Sequence, residues 1–300
     1  MTALRSPGAT AIAEKGWLRA YKWLLLRRLS QIGFLGLFLL GPLAGIWLVQ
    51  GNLTSSMTLD LLPLTDPYVL LQSMAAGHWP ATTALVGGGI VLIAYAVIGG
   101  RMYCSWVCPV NIVTDAAHWL RERFGLPKGW QPKRQTRLWV LGMTLLASAV
   151  TGTIAWEVVN PVSMLHRGLI FGMGLAWAIV AAVFLFDLFV SRRGWCSHLC
   201  PVGAFYGLVG SSSLLRVSAH DRAACDDCMD CFAVCPEPHV ITPALKGADK
   251  GASPVILSPD CTNCGRCIDV CSIDVYRFAA RFDRSETEWE AVDPAAKRAA

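Results

Sequence analysis

Twelve cysteines stand in this chain of 300 residues, and each falls in one of four groups. Cys225, Cys228, Cys231 and Cys235 follow a C-x2-C-x2-C-x3-C spacing that ends in Pro236. Cys261, Cys264, Cys267 and Cys271 repeat it, with Ser272 in the place of the proline. In bacterial two-cluster runs of this spacing, three close thiolates bind one [4Fe–4S] cluster and the fourth reaches across to the other. Cys225, Cys228, Cys231 and Cys271 are thereby expected to hold one cluster, and Cys261, Cys264, Cys267 and Cys235 the second. Structural zinc uses pairs of C-x2-C rather than triplets with a fourth cysteine. Disulfides are disfavoured in a reducing cytoplasm.

The other four cysteines form a duplicate. Arg101-Met-Tyr-Cys104-Ser-Trp-Val-Cys108-Pro109 and Arg193-Gly-Trp-Cys196-Ser-His-Leu-Cys200-Pro201 share one C-x3-C-P pattern. Cysteines four apart share a helix face. A residue before proline resists the helix, and proline suits a first helical position, so Cys108 and Cys200 are expected at breaks where new helices begin. A thiol at a helix N-terminus is expected to have a depressed pKa. Three readings stand for Cys104, Cys108, Cys196 and Cys200: ligands of a third cluster, redox-active thiols, or buried structural cysteines.

These cysteines belong to an apolar chain. Hydrophobic residues make up 54% and charged residues 16%, against roughly 25% charged in soluble domains. Residues 29–50, 81–100, 138–156 and 169–190 are apolar, with Asp187 their one charged residue. Each is long enough for the ~20-residue helix that crosses a bilayer core about 30 Å thick. Lys and Arg concentrate before the first stretch, between the second and third, and after the fourth. The positive-inside rule then places both termini in the cytoplasm. The net charge of +5 follows this membrane pattern, while residues 218–283 carry ten acidic and six basic residues, so nucleic acid is not an expected partner. The first apolar run starts too late and is too long for a cleaved signal peptide.

Each C-x3-C-P motif follows an even-numbered span. The expected architecture is therefore an α-helical membrane protein with four transmembrane helices in two repeated hairpins and a C-terminal bacterial-type two-cluster ferredoxin domain of the α+β class. The chain divides into a basic cytoplasmic segment (1–28), a membrane domain (29–217), a ferredoxin-like domain (218–283) and a polar tail (284–300). The apolar stretch 59–71 in the outward loop is expected in the outer interface, an amphipathic helix over 111–123 on the inner side, and the connection 236–260 as an exposed loop.

With four spans, two C-x3-C-P motifs and two ferredoxin runs, the chain resembles the NapH family, ferredoxin-type membrane components of periplasmic nitrate reductase systems. The similarity extends to Lys15-Gly-Trp-Leu-Arg19, Pro63-Leu-Thr-Asp-Pro67, the segment 151–163 and Cys235-Pro-Glu-Pro-His239. The C-x3-C-P and ferredoxin combination by itself is shared with regulators of nitrous oxide respiration and cytochrome oxidase assembly factors. The resemblance implies a quinol dehydrogenase component of the bacterial inner membrane. Its electrons would pass, with a NapG-like periplasmic iron–sulfur protein and a NapC-like multihaem cytochrome, toward periplasmic nitrate reductase. It also implies a chain that does not itself reduce nitrate, and no C-x-x-C-H haem motif is present.

Quinol oxidation releases two electrons and two protons, so it needs an apolar slot, a proton acceptor and a nearby electron acceptor. Ionisable residues at membrane depth are functional candidates. On the outer side these are Glu157, His78, Asp66 and His166, with Glu157, at the end of the third span between Trp156 and the Asn160-Pro161 turn, foremost. His118 and His198 are expected on helix surfaces, and Asp187 paired with Arg192 or Arg193. One tension stands: the clusters belong to the cytoplasm, whereas the implied terminal acceptor is periplasmic. A maturation or assembly factor and a cytoplasm-facing redox sensor are the alternatives.

Overall fold

The structure, a computed structural model, describes residues 7–127, 129–172 and 174–283. The expected polar tail and the basic residues Arg5 and Lys128 lie outside the described residues. After a short helix α1 (Ala9–Lys15), the long helix α2 (Lys22–Ala44) is rich in Leu, a strong helix former. It is the one helix among the described residues that is both long and apolar enough to cross a bilayer. It stops six residues before the expected end of the first span, at Gly45 with φ 73°. Glycine takes this left-handed conformation without a Cβ penalty and closes the helix.

Three further apolar helices are shorter: α4 (Thr82–Ile98), α7 (Thr136–Thr151) and the stretch Ala176–Val190. The expected fourth span is interrupted, because its first residues belong to a separate helix, α8 (Pro161–Phe171), capped by the Asn160 side chain and ended at Gly172. Helix α9 (Gly174–Leu185) follows and widens into an i→i+5 turn over Phe186–Val190. Apolar composition marks what can lie in lipid; caps and glycines decide where each helix breaks. The outward faces are apolar, with Leu29, Ile93, Val150 and Phe189 all exposed.

The loop after α2 is folded rather than irregular, with Leu59 and Leu61 exposed at its tip. Strands β1 (Val49–Gly51), β2 (Ser55–Thr58) and β3 (Leu62–Thr65) form an antiparallel sheet, followed by α3 (Pro67–Ala75). This unit folds back between the helices. A Cβ on Gly87 of α4 would lie 2.9 Å from the Pro63 carbonyl carbon, so the close approach of β3 needs glycine there. Tyr68 is fully buried, and its hydroxyl meets Thr144 halfway along α7 at 2.5 Å. Gln72, also buried, accepts from Ser148 at 3.2 Å and from the Trp156 N–H at 3.0 Å. Strand backbone away from water requires such protein partners.

The two C-x3-C-P copies adopt one local shape. Helix α5 (Met102–Trp106) leads to α6 (Val110–Arg123), and a wide turn over Trp195–Leu199 leads to α10 (Pro201–Val209). Each copy closes with an i→i+5 bond, Cys108 N–H to Tyr103 C=O at 3.0 Å and Cys200 N–H to Trp195 C=O at 2.9 Å. Proline then has no N–H to continue the ladder.

The C-terminal domain pairs β4 (Leu215–Ser218) with β5 (Arg277–Ala280) and holds the short helices α11 (Asp230–Val234) and α13 (Arg266–Val270). Between these helices, the expected exposed loop 236–260 supplies core instead: α12 (Ile241–Lys246) buries Ile241, Ala244 and Leu245 against Val217, Val275 and Tyr276. Their i, i+3, i+4 spacing makes one apolar face.

Ionic contacts seat this domain on the helices. Asp269 accepts from the N–H groups of Trp23 and Leu24 at 3.0 and 2.9 Å, at the start of α2. Asp115 of α6 meets Arg28, Arg266 and, at 3.7 Å, Arg193. Arg101 pairs with Glu237 at 3.0 Å, both buried, and Arg137 pairs with Asp260. Several expectations change here. His118 and His198 are buried under this contact rather than exposed. Asp187 accepts from the Trp195 N–H at 2.9 Å, while Arg192 reaches Glu122 and Arg193 reaches Asp115. Removing one partner from a buried ion pair costs about 3–5 kcal/mol. Asp115→Asn leaves three arginines facing one another, so its urea midpoint should fall by a clear margin; an unchanged midpoint would remove Asp115 from the seating of the domain.

Candidate functional site

Cys225, Cys228, Cys231 and Cys271 line one small cavity, and Cys235, Cys261, Cys264 and Cys267 line another. The fourth cysteine of each run therefore sits with the other run's triplet. All twelve cysteines are free. Among the described residues no three cysteine sulfurs lie within 4.8 Å of one another. A single zinc with Zn–S bonds of about 2.3 Å would hold its sulfurs ~3.8 Å apart. These wider sets suit a cluster in which each thiolate meets a different iron. Burial pushes Cys231 and Cys261 up to about 11. Cys264 moves the other way: burial would raise it, but the guanidinium groups of Arg27 and Arg266, together with hydrogen bonds from the Arg266 N–H and Thr262, lower it.

The C-x3-C-P cysteines share one buried neighbourhood. Cys104, Cys108 and Cys200 pack with Tyr103, Trp156, Val202 and Tyr206. Thr114 Oγ1 lies 3.8 Å from Cys196 Sγ, and Arg101 Nη2 donates to the Cys196 carbonyl at 3.2 Å, tying one copy to the other. The expected depression of the helix-start thiols is overturned. Burial, then the charge of Cys104, pushes Cys200 up to about 12, although the amides of Gly203 and Val202 favour its thiolate. Desolvation outweighs two backbone donors. The first copy also touches the C-terminal domain: Ser105 Oγ donates to the Thr262 carbonyl at 2.7 Å, and Trp106 Nε1 to the Asn263 carbonyl at 3.0 Å. Thr262 and Asn263 lie between Cys261 and Cys264.

On the other side of this motif lies an apolar cavity of about 290 Å³, lined by residues that include Phe38, Asp66, Tyr95, Tyr103, Val107 and Tyr206. Tyr206 donates to Asp66 Oδ1 at 3.1 Å, and its ring stacks on Tyr103 at 4.9 Å. Burial pushes the Asp66 carboxyl up to about 6, against the opposing hydrogen bonds from the Tyr68 N–H and Tyr206. Of the four acidic and histidine candidates, only Asp66 lines this cavity. Glu157 accepts from Asn160 and Ser163, each at 2.7 Å, as a structural knot. His78 sits exposed beside the Gly152 carbonyl at 3.0 Å. His166 is buried edge-on to Phe38. Sequence reasoning passed over Tyr103, Tyr206 and Arg101. A signal existed for two of them, since Tyr103 and Arg101 stand at fixed offsets before Cys104, as Trp195 and Arg193 stand before Cys196.

Comparison with known proteins agrees with this division. The family model for a 4Fe-4S binding domain matches twice, over residues 80–127 and 173–218, once on each C-x3-C-P copy. The model for a 4Fe-4S dicluster domain matches residues 218–272. The methylamine utilization ferredoxin-type protein MauN of Methylorubrum extorquens is 57% identical over 94% of this chain and 97% of its own length. MauN of Paracoccus denitrificans is 64% identical over 84% of this chain and 88% of its own. The ferredoxin-type protein NapH of Escherichia coli is 50% identical over 93% and 96%. No solved structure matches. With similarity of this level over nearly its whole length, and cysteine sets arranged for iron–sulfur clusters, the chain belongs to the NapH and MauN family of ferredoxin-type iron–sulfur electron-transfer proteins.

Proposed function

We propose that the chain is a four-span protein of the bacterial inner membrane, with both termini cytoplasmic, that oxidises quinol in the Asp66 cavity and passes the electrons to iron–sulfur clusters. The domain boundaries proposed are those set out from the sequence: 1–28, 29–217, 218–283 and 284–300. The shorter apolar helices Thr82–Ile98, Thr136–Thr151 and Ala176–Val190, with their apolar outward faces, support the multi-span reading, as does the clustering of Lys and Arg on one side. Cys225, Cys228, Cys231 and Cys271 are the proposed ligands of one [4Fe–4S] cluster, and Cys261, Cys264, Cys267 and Cys235 of the second. Cys104, Cys108, Cys196 and Cys200 are proposed for a third. The double match of the 4Fe-4S binding domain supports that third site.

The observation that carries this reading is continuity. Tyr103 forms a wall of the cavity and immediately precedes Cys104, and Ser105 and Trp106 bond to the loop between Cys261 and Cys264. Clusters, when bound, take electrons one at a time. Asp66 is placed to accept a proton from a quinol hydroxyl, and Tyr206, whose phenol burial keeps protonated, orients that carboxylate. The Phe38 and Val107 side chains would exclude water from the ring.

As partners we propose a NapG-like periplasmic iron–sulfur protein and a NapC-like cytochrome on the route to periplasmic nitrate reductase. A second assignment has its own support. Two MauN relatives are 57% and 64% identical and a third 47%, against 50% and 47% for two NapH relatives, and the two highest values favour the same electron-transfer unit acting in methylamine utilization. Growth of a deletion strain on methylamine and on nitrate separates the two.

The direct test is anaerobic mixing of the full-length protein with a short-chain quinol, followed by absorbance and EPR. Cluster reduction supports the reading; clusters that stay oxidised would turn it toward an assembly factor or a redox sensor. General-base groups contribute about 10²–10⁴-fold. Asp66→Asn should therefore slow reduction by about 10²-fold or more with iron content unchanged. A base must be ionised to accept a proton, so the wild-type rate should fall as pH drops through about 6. Cys104→Ser or Cys196→Ser should reduce iron from about twelve to about eight atoms per chain, four per cluster, and unchanged iron would end the third-site proposal.

A further inference from the structure

The cavity of Cys235, Cys261, Cys264 and Cys267 is surrounded by arginine. Arg27 is 0% exposed, all three of its guanidinium nitrogens lack a hydrogen-bond partner, and the opposite charges that act on it are those of Cys264 and Asp115. Arg216 is also fully buried and donates to carbonyls alone, among them Ser258 at 3.0 Å and Ser213 at 3.4 Å, with Cys261 nearby. Arg193 and Arg266 both act on Cys235 while sharing Asp115 with Arg28. In the hollow beside this cavity, Arg27, Arg28, Arg193 and Arg266 face Asp115, Asp269 and Glu122, four positive charges against three negative, and the one carboxylate in the cavity wall, Glu237, is met by Arg101 and Arg137. Glu122, at the rim of the hollow, is half exposed and already engaged by Arg192.

The other cavity has the opposite surroundings. Asp226, Asp230 and Asp274 act on Cys228 and Cys271, and Cys228 is exposed. Lys246 and Lys15 also act on Cys225 and Cys271, each set against an aspartate, Asp227 and Asp274, which leaves Asp226 and Asp230 in excess. A [4Fe–4S] cluster with four thiolates has a net charge of about −2 when oxidised and about −3 when reduced, and that net charge helps set its potential. Arg27 and Arg216, which no carboxylate pairs among the described residues, supply uncompensated positive charge that favours the extra electron.

We propose that this arginine shell makes the cluster on Cys235, Cys261, Cys264 and Cys267 the higher-potential one, so that the first electron in the domain rests beside the membrane helices. The proposal rests on the ligand sets given under Proposed function. Burial acts against it, since desolvation penalises the more highly charged reduced state. The Tyr276 hydroxyl and Val275 N–H, at 3.5 and 3.4 Å from Cys231 and Cys271, favour reduction of the other cluster. Unpaired cations in a low-dielectric site outweigh both, because their field is little screened there. One electron then takes the inner cluster from its oxidised to its reduced state, with no bond made or broken. A second electron is needed before the outer cluster fills, so the domain stores two electrons in a set order.

The test is an EPR-monitored redox titration, with dithionite, of the full-length protein purified anaerobically. Any couple that vanishes in Cys104→Ser belongs to the C-x3-C-P site and is set aside. Arg27→Gln should lower the upper of the two remaining couples by about tenfold in its reduction equilibrium, 59 mV for one electron, and leave the lower one in place. Arg27→Lys should restore it. Arg216→Gln should move the same couple in the same direction, which covers the case in which Arg27→Gln does not fold. A shift of the lower couple, or of neither, overturns the ordering. Fewer than about eight irons per chain, four per cluster, would instead overturn the ligand sets and the ordering with them.

Discussion

Negative charge held on thiolates beside an apolar helix bundle must be met by buried cations, and much of this molecule follows from that requirement. An ion moved out of water costs several kcal/mol unless it is paired. Here the pairing is supplied by arginines drawn from both halves of the chain: Arg27 and Arg101 from the helical half, Arg216 and Arg266 from the C-terminal domain. The same side chains join the two halves, since Arg101 holds Glu237 and Arg266 holds Asp115. Seating of the domain and the electrostatics of its thiols are therefore one interaction.

A second consequence is the order of the sites. The loop after α2 folds back on the helices, and its Asp66 meets Tyr206, a residue of the helix that begins at Pro201 after Cys200. The wide turns at both C-x3-C-P copies bring their cysteines into one buried neighbourhood. From there, Ser105 and Trp106 touch the loop of Cys261 and Cys264. In the proposed function, an acid reached from the outer loop and thiols on the cytoplasmic side belong to one continuous route. The separation between an outward quinol site and inward clusters then needs no long detour.

Chemistry specified by spacing was legible from the chain alone. Each cysteine in a C-x2-C-x2-C-x3-C run is bound to its neighbours by a few residues of backbone, so residue count nearly sets their reach. The duplicated C-x3-C-P motif was legible for the same reason, and so was the restart of a helix at Pro109 and Pro201, where the missing N–H acts locally. The apolar stretches were legible in composition but not in extent, because Gly45 and Gly172 end helices that hydropathy alone would continue. The strands over Val49–Thr65 and the core helix Ile241–Lys246 were missed, since short elements draw their stability from distant partners.

Which ionisable residue matters was decided by the tertiary structure. In the sequence Glu157, beside Trp156 and the Asn160-Pro161 turn, stands ahead of Asp66, His78 and His166. Packing puts Asp66 in an apolar cavity, ties Glu157 to Asn160 and Ser163, and leaves His78 at the surface. The acidity of Cys200 likewise turned on burial rather than on its place at a helix start. Sequence determined the kinds of groups and their local spacing, which follow from covalent geometry. The fold decided their solvent exposure and long-range partners, because both depend on residues a hundred or more positions away, such as Asp66 and Tyr206 or Arg101 and Glu237.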